Sequence, residues 1–404
     1  MLLSRNRKLY FPPCAVRNRT IPTLFALALL LMPLCPSTDP MIAANAKTDS
    51  INPEARSYLI EALKLIQKRA LNRDKINFGE LRKKALEMAA TAQSRQDTYD
   101  AIRYAIKQLD DHHSLLFLPE SLQKEEERTL AERSKRNEKA KDEKGKNEKG
   151  KTEKPKTPAP NTKVSFANPS GRMIQSGVHN IAYVLVPAFN AETLAESEEY
   201  ASKLHNQVAT LKNNAPEGWI VDLRGNTGGS PWPMLAGIGP LFGAREIGFF
   251  CAPKLKCSSW IYEDDKAYVI DKSKFWTDSV SAKKGGSVTI DGIPPVAVLL
   301  DVRTASATEA VAIAFAGRPN LRFFGAKTAG CTTATHGFPL ADGAVLYLAL
   351  ENYEDRNGKV YPKGIEPDEL VKPKEKGQSV DPVVEAANDW ITGKKPINRG
   401  SAPK

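Results

Sequence analysis

Metal-binding signatures are missing from this sequence. Its 404 residues include five cysteines and five histidines, with no CxxC pair, no HExxH pattern and no clustering of the two residue types. The common zinc-site spacings are thereby excluded, and neither a metal nor another cofactor is expected. Nucleotide loops are missing too: the glycine turn "DLRGNTGGS" has neither the GxGxxG order nor a GK[ST] ending. The apolar run "IPTLFALALLLMPL" at 21–34 falls short of the roughly 20 residues that cross a bilayer comfortably. No internal repeat recurs.

Charge is present in excess, and it is concentrated. The formal net charge is +11. From Lys124 to Thr157 the chain holds 13 Lys or Arg against 9 Asp or Glu and almost no apolar side chains. Such a segment buries too little surface to offset its ordering entropy, so it reads as a solvated linker. Its interspersed acids and its lack of aromatics argue against a nucleic-acid partner. Association with an anionic membrane or envelope surface is the remaining use of a basic run.

The N-terminus reads as an export signal. Arg5, Arg7, Lys8, Arg17 and Arg19 precede the apolar stretch, and "ANA" at 44–46 fits a small-x-small cleavage site. Removing residues 1–46 takes five basic residues and Asp39 and leaves a net charge of +7. Cys35 raises a lipoprotein alternative that Leu34 before it disfavours, and an uncleaved anchor ranks third. The expected location is the periplasm or outside the cell. In an oxidising compartment the spacing of Cys251 and Cys257 suits a small disulfide loop, which would leave Cys331 odd.

The remainder is expected to fold as helices over about 53–110, then as strands alternating with helices. "HNIAYVLVPAF", "GWIVDLRG" and "PPVAVLLDV" read as strands, with helices at 191–212 and 307–317 between and after them. That alternation implies an α/β core with parallel strands, closed by a more β-rich segment at 343–364 and an amphipathic helix after about 372. The expected partition is signal 1–46, helical subdomain 47–120, charged linker 121–163, α/β core 164–392 and polar tail 393–404.

Chemistry points to "DVRTASATEA". A buried strand that empties into small and hydroxyl residues and then a helix can lift the Ser306 hydroxyl clear of the sheet beside helix N-terminal amides. The alternative is that Ser306 and Thr308 simply cap the helix. A nucleophilic serine needs a base. His179, on a strand edge, and His205, on a helix face, read as surface residues. His336 follows a second glycine-rich turn, and His112 and His113 close a helix in "LDDHHS" beside Asp110 and Asp111, where a capping role competes with chemistry.

Six motifs, "LDDHHS", "IAYVLVPAF", "GWIVDLRGNTGG", "DVRTASATEA", "FFGAKTAGCTT" and "YPKGIEPDELV", occur in this order between about residues 70 and 390. The set resembles the C-terminal processing (tail-specific) serine peptidase family. The resemblance implies a crotonase/ClpP-like α/β core with helical additions and an enzyme that cuts peptides or proteins. It makes Ser306 the nucleophile, His113 the general base in an aspartate-x-histidine-serine pattern with Asp111 and Ser114, and the N–H groups of Ala307 and Gly228 the oxyanion hole. Glu309 and Glu366 are candidate orienting acids.

Two departures narrow the match. Cys331 stands where serine–lysine members carry their lysine, with Lys327 nearby, and the segment between Pro119 and Val164 is too polar for the PDZ domain many members carry. Both resemble the PDZ-lacking nisin-resistance-protein branch. A second function on the same fold, a catalytically inactive peptide-binding module, is the alternative to an exported serine endopeptidase.

Overall fold

Two five-residue strands whose every side chain is buried set the architecture: β4 (Gly218–Asp222) and β9 (Val296–Leu300). A strand apolar on both faces is stable only where helices cover both. They lie side by side and parallel, Trp219 opposite Val296, at the centre of a six-stranded sheet. Its remaining members are β2 (Ser170–Ser176), β3 (His179–Leu185), β10 (Leu321–Gly325) and β13 (Glu369–Leu370), in the order β13-β10-β9-β4-β3-β2. All neighbours are parallel except β2, which turns back on β3. The computed structural model describes residues 51–119, 168–190, 193–253, 257–270, 279–282, 287–375 and 377–394. The expected signal at 1–46 and linker at 121–163, and all but two residues of the expected tail, lie outside the described residues.

On one face of the sheet pack α4 (Leu194–Lys212), α5 (Pro231–Ile238) and α6 (Ala307–Phe315), around Tyr200, Leu204, Trp219, Val298 and Phe315. On the other lies α7 (Pro382–Ile391), whose Val383 and Ala387 cover Ile220, Ala297 and Phe324. α4 begins with a reciprocal cap between Thr193 and Glu196. α6 is buried at all nine positions, which explains its apolar character nearly all round.

A second, antiparallel sheet was not legible in full from the sequence. It runs β1 (Leu115–Phe117), β12 (Val345–Glu354), β5 (Glu246–Cys251), β6 (Ser258–Glu263), β7 (Lys266–Ile270), β8 (Ser279–Ser281), with β11 (Thr333–Pro339) also on β12. The N-terminal helices α1 (Pro53–Arg69), α2 (Phe78–Met88) and α3 (Tyr99–Lys107) form their own core, and Leu346 and Leu348 of β12 belong to it. Because β1 pairs with β12, with Leu115 opposite Tyr347, the turn after α3 is held beside the start of β11. Among the described residues no helix is long and apolar enough to cross a membrane.

Cys251 and Cys257 form the disulfide their spacing suggested, and Cys331 is free. Closing so short a loop is worth about 2 kcal/mol in the chain-entropy account. Replacing both cysteines by serine is therefore expected to lower stability by about that amount, read as a drop in the urea midpoint at unchanged slope.

Candidate active site

The turn from β9 into α6 is held by backbone donors converging on one carboxylate. Asp301 accepts hydrogen bonds from the N–H groups of Gly225, Arg303 and Thr304 at 2.9–3.0 Å. Thr304 Oγ1 accepts from Asp301 N at 3.0 Å and donates to the Leu223 carbonyl at 3.1 Å. The chain thus reaches Ser306 already fastened to the glycine turn after β4. Ser306 itself has φ +55° and ψ −120°, a conformation costing a non-glycine residue about 1–3 kcal/mol and retained where surrounding bonds dictate it. Its hydroxyl lies 3.1 Å from His113 Nε2.

Glu309 stabilises that turn from beneath. It is fully buried, and its carboxyl accepts from Ser306 N and Gly330 N, each at 2.9 Å, and from Thr328 Oγ1. Burial pushes its pKa up against these hydrogen bonds. Thr328 in turn accepts from Ile365 N at 2.8 Å, so the "GIEPD" segment braces Glu309 from a distance. Glu366 is elsewhere: exposed and paired with Lys327 at 2.5 Å. Neither glutamate touches the imidazole, and Lys327 is occupied in this surface pair. Thr308, the other candidate cap, has a buried hydroxyl with no side-chain or backbone partner among the described residues.

His113 arrives from the opposite sheet. Asp110 and His112 on either side of Asp111 both have positive φ, +50° and +55°, and the Asp111 carboxylate fixes the turn they make. It accepts from His113 N (3.0 Å), Ser114 N (2.7 Å) and Ser114 Oγ (2.6 Å). Ser114 Oγ also accepts from Ala349 N at 2.9 Å, which ties the turn to β12. The aspartate-x-histidine-serine pattern is thus a backbone clamp rather than an acid on the imidazole. What meets His113 Nδ1 is Thr333 Oγ1, at 2.9 Å, a residue the sequence reading did not single out. Burial lowers the His113 pKa below the ordinary imidazole value, only partly offset by the Thr333 backbone and Asp111.

The glycine turn closes the site. Gly228 has φ +107°, and a Cβ there would stand 3.0 Å from Ser306 Cβ and 3.2 Å from Ala307 N. Its own N–H donates to Asn226 Oδ1 at 3.0 Å, and Asn226 Nδ2 donates to the Val186 carbonyl at 2.9 Å. Ala307 N, at the first position of α6, makes no hydrogen bond among the described residues. Cys331, in place of the lysine, is partly buried 3.6 Å from the His112 carbonyl, and desolvation raises its thiol to about 11. It stays a neutral thiol at physiological pH.

The other histidines stand apart. His179 pairs with Glu217 at the surface, and His336 is exposed against the Phe338 ring. His112 is exposed, 3.9 Å from Asp110. The surface reading of His205 is corrected: it is 0% exposed on the inner face of α4 and donates from Nε2 to Asp265 at 3.0 Å. One turn of helix offers both faces, and composition around His205 did not reveal which one the β6–β7 hairpin covers.

Residues 180–371 match Peptidase family S41. The nisin-resistance protein of Lactococcus lactis is 26% identical over 311 residues, covering 77% of this chain and 81% of that protein. The carboxyl-terminal-processing protease of Synechocystis is 27% identical over 220 residues, 53% of this chain and 44% of that longer protein. Among solved structures, a lipoprotein from Streptococcus agalactiae superposes with a TM-score of 0.57 over 85% of this chain and 98% of that one, at 20% identity, which establishes the shared fold. A strained serine at a strand-to-helix turn, a half-buried histidine on its hydroxyl and these relationships agree: residues 180–371 carry the Peptidase family S41 match, and the protein is a serine peptidase.

Proposed function

We propose that the protein is an exported endopeptidase that cleaves peptides or proteins through an acyl-enzyme on Ser306, with His113 as general base. The observation that carries this reading is the 3.1 Å contact between Ser306 Oγ and His113 Nε2, made across 193 residues of sequence. In the forward step Ser306 Oγ attacks the scissile carbonyl while His113 Nε2 takes its proton. The imidazolium then protonates the leaving amine, and the acyl-enzyme remains. Water, deprotonated by the same nitrogen, releases the acyl group and restores the serine.

The tetrahedral oxygen develops charge beside the N-terminus of α6, where Ala307 N–H is an available donor. Gly228 contributes first by having no side chain at that place. Its N–H can serve as the second donor once Asn226 Oδ1 releases it. Export fits the Cys251–Cys257 disulfide, which is stable in an oxidising compartment, and we assign residues 1–46 to the signal. The charged stretch 121–163 joins helical subdomain 47–120 to core 164–392 and is the part of the chain suited to an envelope surface.

Digestion of unstructured peptides, followed by mass spectrometry, tests the reading. Loss of the same products in Ser306→Ala and His113→Ala is expected. Saturable binding of those peptides without turnover by the wild type would instead identify a binding module. The pH profile is a further expectation: neutral His113 is the active form, so kcat/KM falls as pH drops through its pKa. Burial lowers that pKa, which places the acid limb below about 6.5, the free imidazole value. An acid limb above that value would contradict the assignment.

A further inference from the structure

We infer that Thr333 is the positioning residue of the general base, standing where many serine hydrolases place an acid. The inference rests on the Ser306–His113 reading and extends it. Three acids are candidates for that place, and each is occupied otherwise. Asp111 spends its carboxylate on the backbone and hydroxyl of its own turn, Glu309 on the nucleophile turn, and Glu366 on Lys327. The Thr333 hydroxyl alone among these side chains meets the ring, at 2.9 Å from Nδ1.

The Thr333 hydroxyl oxygen can accept from Nδ1 when the ring proton sits there. That leaves the Nε2 lone pair facing Ser306, which is the tautomer a general base requires. Thr333 opens β11, opposite Asn352 of β12, and Ser114 is fastened to Ala349 of the same strand. Both ends of the histidine's support therefore sit on one pair of strands.

A neutral orienter has a chemical consequence. A carboxylate on Nδ1 would stabilise the imidazolium and raise the base's pKa by about 1–3 units; a threonine does not. The other charged group that acts on the ring is the Asp111 carboxylate, and the Cys331 thiol, 3.6 Å from the His112 carbonyl, is neutral. With Thr333 on Nδ1, the base takes its proton at lower pH than it would facing a carboxylate and gives up transition-state stabilisation in exchange.

The test measures the second-order rate at which a fluorophosphonate labels the full chain, as a function of pH. Ser306 Oγ bonds to phosphorus, fluoride leaves, and His113 takes the serine proton, so the rate reports the pair without a known substrate. Thr333→Val, which keeps shape and removes the hydroxyl, is expected to slow labelling about tenfold at every pH, the worth of one such hydrogen bond. Thr333→Ser is expected to restore it to within about twofold. Thr333→Asp is expected to move the acid limb to higher pH by about one unit or more.

Wild-type rates in Thr333→Val, or an unmoved acid limb in Thr333→Asp, would overturn the inference while leaving the Ser306–His113 pair intact. If Ser306→Ala still labels at the wild-type rate, or if the wild type does not label, the underlying reading fails and the inference with it. Should the valine variant not fold, the serine and aspartate variants carry the same decision.

Discussion

Alanine at Ser306 or at His113 is expected to lower kcat by about 10⁴-fold or more, and the double variant is expected to be little worse than either single one. The two side chains perform one proton transfer, so removing either removes the step. Their contact joins the α6 turn to the turn after α3. Ser306 has φ +55°, so the alanine variant retains the strained backbone but loses the nucleophile. Its stability should change little, and thermal unfolding distinguishes lost chemistry from lost fold. Independent, additive losses in the double variant would mean that the two residues act in different steps.

The second large effect is expected from one methyl group at Gly228. A Cβ there would meet the Ala305 carbonyl at 2.9 Å, Ser306 Cβ at 3.0 Å and Ala307 N at 3.2 Å, and φ of +107° is itself adverse for any L side chain. Two of the three neighbours are backbone atoms of the nucleophile turn, so relief requires moving that turn. Displacement by about 1 Å at such a site costs on the order of 100-fold in rate. We expect Gly228→Ala to lose at least that much hydrolysis. Gly225→Ala serves as the comparison: it also has positive φ, but a Cβ there meets nothing within 4 Å. Its effect should be confined to backbone strain. Similar losses in both would show that the glycine turn matters only for its conformation.

Much of this arrangement was legible from residue order. Three apolar strands of the parallel sheet and α6 follow directly from buried runs, and "LDDHHS" and "TASATE" mark the histidine and the serine. The second sheet was hidden partly because its β6–β7 hairpin turns on Asp264 and Asp265, φ +49° and +59°. Such turns are usually announced by Asn-Gly or Asp-Gly. Here Asp265 is held by Tyr262 Oη, at 3.0 Å, and by His205, a residue 60 positions away. A long-range bond thus supplies what a glycine supplies in the usual signal.

Thr333 was hidden for a related reason. A threonine in "GCTTATHG" has strand propensity whether or not it meets an imidazole, and only the β1–β12–β11 pairing brings His113 to it. Glu309 was visible as a helix-start acid. Its burial depends on the 328–330 turn wrapping over α6, which local spacing does not encode. Lys327 shows the converse case: adjacency in sequence to the glycine turn did not place it at the site, because Glu366 captures it at the surface.

The most direct measurement of the central claim is to map, by peptide mass spectrometry, where a fluorophosphonate attaches to the full chain. One adduct per chain on the peptide containing Ser306, absent when His113 is alanine, is the predicted result. An adduct on another residue, or one on Ser306 that forms equally fast without His113, would contradict the serine–histidine mechanism.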